Sequence, residues 1–401
     1  MNILYICHRI PYPPDKGEKI RAFYQLRYLA ARHTVHLACL IDAPEDVQYV
    51  QALEQYCASI DALYRPKIGA KLFALRALCT KQPLSVAAFY SAAFARKIRQ
   101  RLQAEHIDRI VVCSSSMAVY VQQVSQIPKV MDFVDADSEK WRLFADYHPW
   151  VLSWIYRLEA RRLAQYEIEV ARTFDHAIFV TDREARLLRQ HVSERPISVI
   201  PNGVDLEYFT PPQDAGGTTE PPMLVFTGAM DYFPNVDAVD YFCREIFPYV
   251  HEAVPATQLS IVGRNPTKQV RQLSRQSHIM VTGAVPDVRP YLARARVAVA
   301  PLRIARGVQN KILEAMAMGL PVVGTPAALQ GTWATPADGV RMADNPRAFA
   351  HEVVTLLEDH ALQRQCALQA RRYVQTYHQW EEYNARLETL LRETVIAPAP
   401  A

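Results

Sequence analysis

The stretch 297-VAVAPLRIARGVQNKILEAMAMGLPVVGTPAALQG-331 decides how the rest of the chain is read. Its opening run, Val297 to Pro301, is short and apolar and predicts a buried strand. A basic loop carrying Arg303, Arg306 and Gly307 follows. From about Asn310 the stripe Ile312, Leu313, Met316 predicts a helix. Gly319 stands where a left-handed residue closes a helix, and Pro321 prevents continuation. Pro321 to Gly324 predicts the next strand. Strand, glycine-bearing loop, helix, glycine, strand is one half of a parallel α/β sheet. Ligands of such sheets lie beyond the carboxyl ends of the strands, beside helix N-termini. Between Asp287 and Glu314 there is no acidic residue but six basic ones, Arg289, Arg294, Arg296, Arg303, Arg306 and Lys311, so the expected guest is an anion.

Working outward, the same pattern recurs on both sides. Strands are predicted at 224–226, ending at Gly228, at 258–262, ending at Gly263–Arg264, and at 279–281, ending at Gly283. A helix over 237–250 and a short one over 288–296 lie between them, with further helices over 346–358 and 361–376. Before them runs TPPQDAGGTTEPP (210–222), whose four prolines and two glycines mark a linker. The N-terminal part opens as strand (2–7), Pro- and Gly-rich loop (8–19), helix (20–32), strand (35–41), a βαβ unit. Further strands are predicted at 109–113, 129–134, 176–180 and 197–200, with a long charged helical region from Asp137 to about Thr173. Thr181 and Glu184 predict a capping box. Two similar α/β sets follow: an N-terminal domain over 1–205 and a C-terminal one over 206–376. A last helix, about 377–395, is expected to pack back on the first, with a disordered tail IAPAPA.

Length agrees with two domains, since 401 residues exceed one ordinary core. A net charge of +4 does not argue for nucleic acid, and no apolar run reaches the length of a transmembrane helix. The N-terminus lacks the basic region and cleavage site of a signal peptide. Seven scattered cysteines without a CxxC pair predict reduced thiols in a cytoplasmic protein rather than a zinc site. Residues 62–104 hold nine basic side chains and no acidic one, interleaved with Leu72, Phe73, Leu75, Leu78, Phe89, Tyr90 and Phe94. Such a segment either lies on an anionic membrane surface or forms solvated helices packed on the sheet.

The candidate chemistry sits at the strand ends. The N-terminus of the 310–318 helix offers free N–H groups and a positive dipole end, worth about 0.3–1 kcal/mol to an anion. Lys311 adds a full charge, and Glu314 can accept hydrogen bonds from the two hydroxyls of a ribose. Arg264 is a second phosphate candidate or a plain loop arginine. There is no G-x-x-x-x-G-K-[ST] and no G-x-G-x-x-G after the first strand, so neither a P-loop nor the usual NAD site is supported. Asp135-Ala136-Asp137 has the D-x-D shape of metal-holding carboxylates, although Asp137 also suits a helix N-cap; no metal site is expected.

These residues make the chain resemble a GT-B glycosyltransferase of the family 4, group 1-like type, over nearly its whole length. The carriers are GVQNKILEAMAMGLPVV (307–323), VTGAVPDVRPYLARARVAVAPLR (281–303), IPNGVDLEYF (200–209) and FTGAMDYFPNVDAV (226–239). PYPPDKGEKIR (11–21) and VDADSEKW (134–141) look like sugar transferases associated with exopolysaccharide and exosortase/PEP-CTERM gene systems. The resemblance implies two Rossmann-like parallel-sheet domains facing across a cleft. It implies a nucleoside diphospho-sugar on the C-terminal domain, an acceptor on the N-terminal one, and transfer with retention and without a metal or cofactor. By position, Glu314 matches a ribose-binding glutamate, Lys311 falls beside the diphosphate, the backbone of Val285 meets the base, and Gly17 belongs to a glycine loop near the diphosphate and donor sugar.

Two departures from the family pattern bear on function. The first glutamate of the usual E-x7-E is replaced by Arg306, so Arg306 or Arg303 would supply phosphate charge, next to Gly307. The usual R…K phosphate pair after the first C-terminal strand is missing, since that strand ends in Gly228-Ala229-Met230-Asp231. Where many members carry a histidine this chain has Asp132 and Asp135; either would orient the acceptor or donor sugar, or serve as a turn residue. The expectation is a peripheral enzyme at the inner face of the cell membrane. It would extend a saccharide or polyprenyl-linked saccharide, with the basic region 65–101 touching anionic lipid. A sugar-nucleotide epimerase and a catalytically silent nucleotide-sugar-binding partner are the alternatives.

Overall fold

A computed structural model of the chain describes residues 1–66, 80–211 and 221–396. It divides into two compact units, Met1–Pro201 with Glu381–Ala401, and Asn202–Trp380. Each is a parallel α/β sheet, and the fold is that of two Rossmann-like domains.

In the first unit the strands are β1 (Asn2–Cys7), β2 (Thr34–Ile41), β3 (Ser59–Tyr64), β4 (Arg109–Cys113), β5 (Lys129–Val134), β6 (His176–Phe179) and β7 (Ile197–Val199), in the order 3-2-1-4-5-6-7. All pairings are parallel. Helices cover both faces, which is why β1 reads as a near-continuous apolar run and β2 as one interrupted only at His36, rather than alternating. The order reverses between β1 and β4, which places a crevice above their carboxyl ends. The helices that matter below are α1 (Gly17–Ala30), α2 (Leu84–Phe89), α3 (Ala92–Ala104), α4 (Asp137–Asp146), α5 (Trp150–Thr173) and α6 (Asp182–Arg189).

The second unit holds β8 (Met223–Thr227), β9 (Gln258–Val262), β10 (Ile279–Gly283), β11 (Val297–Ala300), β12 (Val322–Gly324) and β13 (Val340–Met342), in the order 10-9-8-11-12-13. Its reversal lies between β8 and β11. The helix that follows β11 is α8 (Asn310–Ala317); α7 (Phe233–Tyr241) follows β8. Gly319 has φ +65, the left-handed value expected of it. The closing helix α9 (Trp380–Glu393) belongs, from Glu381 onward, to the first unit. There Asn384 donates to the Tyr24 carbonyl (3.0 Å) and the Leu391 carbonyl accepts from Arg109 (2.7 Å).

Several boundaries differ from the expectation. The long helix over 137–173 is two helices, because Pro149 lacks an N–H and disfavours helical backbone at His148. The short edge strands β3 and β13 were not anticipated; they are half-exposed and carry polar residues. The first helix starts at Gly17, so Gly17 is its first residue and not part of a loop. The helix expected over 237–250 begins at Phe233 and passes through a π turn, Phe242–Ile246. Asp137 is inside α4, whose N-cap is Ala136. The unit division falls after Pro201 rather than at 205, because Tyr208 bonds Asp287 (3.2 Å) and Asn202 bonds Asn310 (3.1 Å). Most of the linker (212–220) and the last five residues lie outside the described residues.

A polar network is locked into the core of the first unit. Arg21 and Asp132 are fully buried and form an ion pair at 2.7 Å. Asp132 Oδ2 also accepts from Gln25 (2.7 Å), Gln25 accepts from the Tyr5 hydroxyl (2.7 Å), and Asp132 Oδ1 accepts from the Val134 N–H (3.1 Å). Arg21 reaches on to the carbonyl of Ile200 (2.9 Å). Asp132 is therefore a structural acceptor and not a sugar ligand. Removing one partner leaves a buried charge without its counterion, which costs about 3–5 kcal/mol. Asp132→Ala should accordingly lower the unfolding midpoint markedly, whereas Asp132→Asn should do so less; equal melting of wild type and Asp132→Ala in calorimetry would contradict the network.

Candidate active site

The C-terminal unit builds its site around the end of β8. Gly228 closes this strand at φ +154, a backbone value that side chains rarely adopt, and a Cβ there would lie 2.7 Å from Asn235 Nδ2 and 3.0 Å from Lys311 Nζ. Position 228 has no room for a side chain, because Asn235 and Lys311 occupy that space. Lys311, the second residue of α8, donates to Asn235 Oδ1 on α7 and stands 4.3 Å from the centre of the Phe226 ring. Burial pushes its ammonium down to about 7, against the pull of Glu314. Glu314 lies one turn along α8; burial lifts its carboxyl to about 7, against Lys311. No donor among the described residues is bonded to the Glu314 carboxylate.

The start of α8 is uncapped. Its N-cap, Gln309, turns its amide to the Arg306 carbonyl (2.7 Å) and makes no cap bond. Such a start offers N–H groups and a positive dipole end to an anion. Asn310, the first helical residue, is held by Asn202 from the Asn-Gly turn. The loop before it carries Gly307 and the half-buried Arg306.

The other expected ligands of this unit follow neighbouring strands. Arg264, half-buried after β9, accepts at its carbonyl from Met230 (2.9 Å), tying the β9 end to the loop after β8. Val285 lies half-buried in the loop after β10. Arg303 is engaged elsewhere: its guanidinium meets both oxygens of Asp237 and stacks over Tyr241 at 4.6 Å. A phosphate would have to displace Asp237, so the structure gives Arg303 a weaker place in the site than the basic count suggested. Among the described residues, no three His, Cys, Asp or Glu side chains gather as a metal site.

The N-terminal unit presents a second constellation at the ends of β1, β4 and β5. Val134 has φ +66 and Ser114 φ +78, both strained for residues with side chains. Asp132 holds the first through its bond to the Val134 N–H, and the Asp132 carbonyl accepts from the Ser114 N–H (2.9 Å). The turn at Val134 brings in Asp135, whose Oδ1 is buried without a hydrogen-bond partner among the described residues. Burial, then the nearby Asp137 carboxylate, raise Asp135 to about 6, against Lys140 and Arg21. His8, after β1, is half-buried, with its Nδ1 buried and without a hydrogen-bond partner among the described residues, and packs edge-on against Phe89. Burial and Arg9 lower it to about 4, against Glu18 and Asp137. Glu18 loses solvation but pairs with Arg9, which holds it near 2; it follows Gly17 in the first turn of α1.

Sequence reasoning named Lys311, Glu314 and Asp135, but missed His8, Asn235 and Phe226. His8 was legible as the first polar residue after β1, at a sheet reversal. Asn235 was not, because its value lies in the lysine it faces. The basic region 65–101 is only partly described, since Lys67, Lys71 and Arg76 lie outside the described residues. In the part that is described, Phe94 and Ile98 of α3 are buried in the core and Arg101 pairs with Asp61 (2.9 Å). Helix α3 thus keeps its large apolar side chains for the sheet and turns polar and small residues, Arg96, Arg99 and Gln100 among them, to the outside.

A sheet reversal with a half-buried lysine, a carboxylate and an uncapped helix start is an arrangement suited to an anionic ligand on a Rossmann-like domain. A family model described as Glycosyltransferase Family 4 matches residues 17–208, and one described as Glycosyl transferases group 1 matches residues 221–359. The chain thus carries a glycosyltransferase family 4 domain followed by a glycosyl transferases group 1 domain, on the two-domain fold of GT-B glycosyltransferases. Solved structures show the same fold. Sucrose-phosphate synthase from Thermosynechococcus elongatus is 18% identical, with 98% of this chain and 99% of that one covered at a TM-score of 0.73. Anabaena HepE in complex with UDP is 15% identical, with 98% and 100% covered at 0.71. WaaG, a glycosyltransferase involved in lipopolysaccharide biosynthesis, is 16% identical, with 98% and 100% covered at 0.67.

Lys311 makes a pH-dependent prediction. A diphosphate favours the ammonium form, so binding raises the Lys311 pKa above its free value of about 7 and takes up a proton on the alkaline side. Nucleoside-diphosphate affinity should therefore fall as pH rises from about 7 toward 9. Calorimetry in buffers of different ionisation heat should show proton uptake in the wild type and none in Lys311→Met. Uptake that persists in Lys311→Met would remove Lys311 from the diphosphate site.

Proposed function

We propose that the protein is a retaining glycosyltransferase that moves a sugar from a nucleoside diphospho-sugar to a saccharide or polyprenyl-linked saccharide in exopolysaccharide assembly. The observation that carries the donor half is the Lys311–Glu314 pair on α8, facing the open end of β8. Lys311 and the uncapped helix start receive the diphosphate, and Glu314, whose carboxylate no donor among the described residues bonds, accepts from the ribose hydroxyls. Gly307, Arg264 and Arg306 add backbone and charge around the phosphates, and Val285 meets the base. The family's missing phosphate lysine after β8 is made good from the other side, since Lys311 delivers its ammonium to Gly228. A UDP-sugar is the first donor to test, because Anabaena HepE has been solved with UDP and with UDP-glucose.

Departure of the diphosphate concentrates negative charge on its terminal oxygen. Fixed cations and amide dipoles aimed at that oxygen stabilise the transition state more than the ground state. The acceptor hydroxyl attacks from the face the phosphate leaves, which retains the anomeric configuration, and the departing phosphate takes its proton. This chemistry needs no metal or cofactor beyond the donor itself. Asp135, poised near pKa 6 in the N-terminal unit, orients a sugar hydroxyl, with Gly17 at the start of α1 close to the donor sugar. The exopolysaccharide assignment rests on PYPPDKGEKIR and VDADSEKW, and the polyprenyl acceptor places the enzyme at the inner face of the cell membrane. The charged face of 65–101 would meet anionic lipid there.

A thermal-shift panel of UDP-, GDP-, TDP- and ADP-sugars identifies the donor, because a ligand of the folded state raises its stability. A lost hydrogen bond to a charged group costs about 1.5–3 kcal/mol, so Glu314→Ala should raise donor KM at least about ten-fold with a smaller change in kcat. Asp135→Asn should do the reverse, lowering kcat while donor affinity holds. Unchanged donor affinity in Glu314→Ala would sink the ribose assignment, and an unchanged kcat in Asp135→Asn would take Asp135 out of the reaction.

A further inference from the structure

The α4–α5 hairpin of the first unit ends in an apolar tip that the donor and acceptor sites do not use. Trp150 is 83% exposed and Trp154 62% exposed, and between them Val151 and Leu152 also face outward, with Tyr147 beside them. Large aromatic side chains left this open have a use other than packing. The hairpin beneath them is rigid. Tyr156 packs against Trp141 (5.3 Å), His148 (5.0 Å) and Phe144 (6.4 Å), which fixes the two helices to each other. Further down α5, Glu159 accepts from the N–H groups of Leu84 (2.6 Å) and Ser85 (2.8 Å), and Glu167 accepts from the Ser138 N–H (3.1 Å), anchoring the helix to its neighbours. The tip is thus presented on a firm stalk.

We propose that this tip enters the headgroup region of an anionic lipid bilayer, with Trp150, Val151, Leu152 and Trp154 as the inserting side chains. Charge and spacing select a membrane over other apolar partners. Trp150, Trp154, Arg157 and Arg161 follow one another at helical intervals on the exposed side of α5, two tryptophans and then two arginines. At about 1.5 Å per residue, Arg157 stands roughly 10 Å behind Trp150 along the helix. That matches the depth of about 5–10 Å to which interfacial apolar faces sink, so Arg157 comes level with the lipid phosphates, with Arg161 roughly one turn behind it. Tryptophan favours this boundary because its ring is apolar and its N–H is polar. The acidic group at the tip is Asp146, which lies 3.9 Å from Arg157. No helix among the described residues is long and apolar enough to cross a membrane, so the contact is peripheral. The tip would act beside the lipid contact proposed for the charged face of 65–101.

The test uses the full chain and no donor, so it stands apart from the glycosyl-transfer reading. Wild type should sediment with vesicles of phosphatidylcholine plus phosphatidylglycerol, and lipids brominated on the acyl chain should quench its tryptophan emission. Trp150→Ser/Trp154→Ser should lose vesicle affinity at least about ten-fold, since both side chains contribute apolar area to the bound state. Arg157→Glu/Arg161→Glu should lose binding to the anionic vesicles more than to phosphatidylcholine alone. Both pairs are at exposed positions, so unchanged melting shows that the fold is kept. Vesicle binding that survives the tryptophan substitutions, absence of binding by wild type, or absence of quenching would each overturn the proposal. So would self-association in sedimentation velocity that disappears with the tryptophans, which would make the tip a contact between copies.

Discussion

The desolvation of one ammonium group organises the second unit. Lys311 sits against the Phe226 ring and the end of β8, with Asn235 as its hydrogen-bond acceptor and Glu314 as its nearest opposite charge. A lysine so placed has its charge weakened unless something anionic arrives. The surroundings that allow it are costly in sequence terms: Gly228 must have no side chain, and Asn235 must point back at the strand end. The helix start beside it is left uncapped, although capping would stabilise α8. Such local sacrifices are expected where the missing partner is a ligand.

The first unit solves the opposite problem. There the buried Arg21–Asp132 pair is bonded internally, and those bonds set the backbone. Asp132 holds Arg21, Gln25 and the Val134 N–H at once, and that last bond supports a left-handed β-branched residue. The turn it enforces leaves Asp135 half-buried at the strand end with its Oδ1 unpartnered among the described residues, in the same unit as His8, whose Nδ1 is likewise unpartnered. Two aspartates three residues apart therefore have distinct duties, one structural and one open. Glutamates on α5 and α6 act in a similar structural way: Glu159, Glu167 and Glu184 accept from backbone N–H groups of other helices and their approaches. These bonds replace side-chain caps that α2 and α4 lack.

The two departures from the family pattern now have different weights. At the strand end that lacks the R…K pair a lysine arrives from α8, which only the packing at Gly228 reveals. The replacement of the first glutamate by Arg306 has no such counterpart: its carbonyl receives Gln309 and its side chain stays half-buried. Arg303, the other candidate cation in that loop, is held by Asp237 on α7.

Much of the fold was decided by the sequence alone. Unbroken apolar runs, glycines at strand ends and Gly319 before Pro321 specify parallel α/β sheets, because a strand buried on both faces tolerates little else and a helix needs a left-handed residue to stop. The Lys311–Glu314 spacing on one helix was legible for the same local reason. Tertiary structure decided what depends on partners far along the chain. It made Asp132 a core residue by bringing Arg21 to it from 111 residues away, drew Arg303 to Asp237, and let α3 sink Phe94 and Ile98 into the sheet. It also left Trp150 and Trp154 outside. Composition cannot separate a buried tryptophan from an exposed one, since hydrophobicity says only that a side chain would gain by leaving water, while packing determines whether the protein itself provides the place.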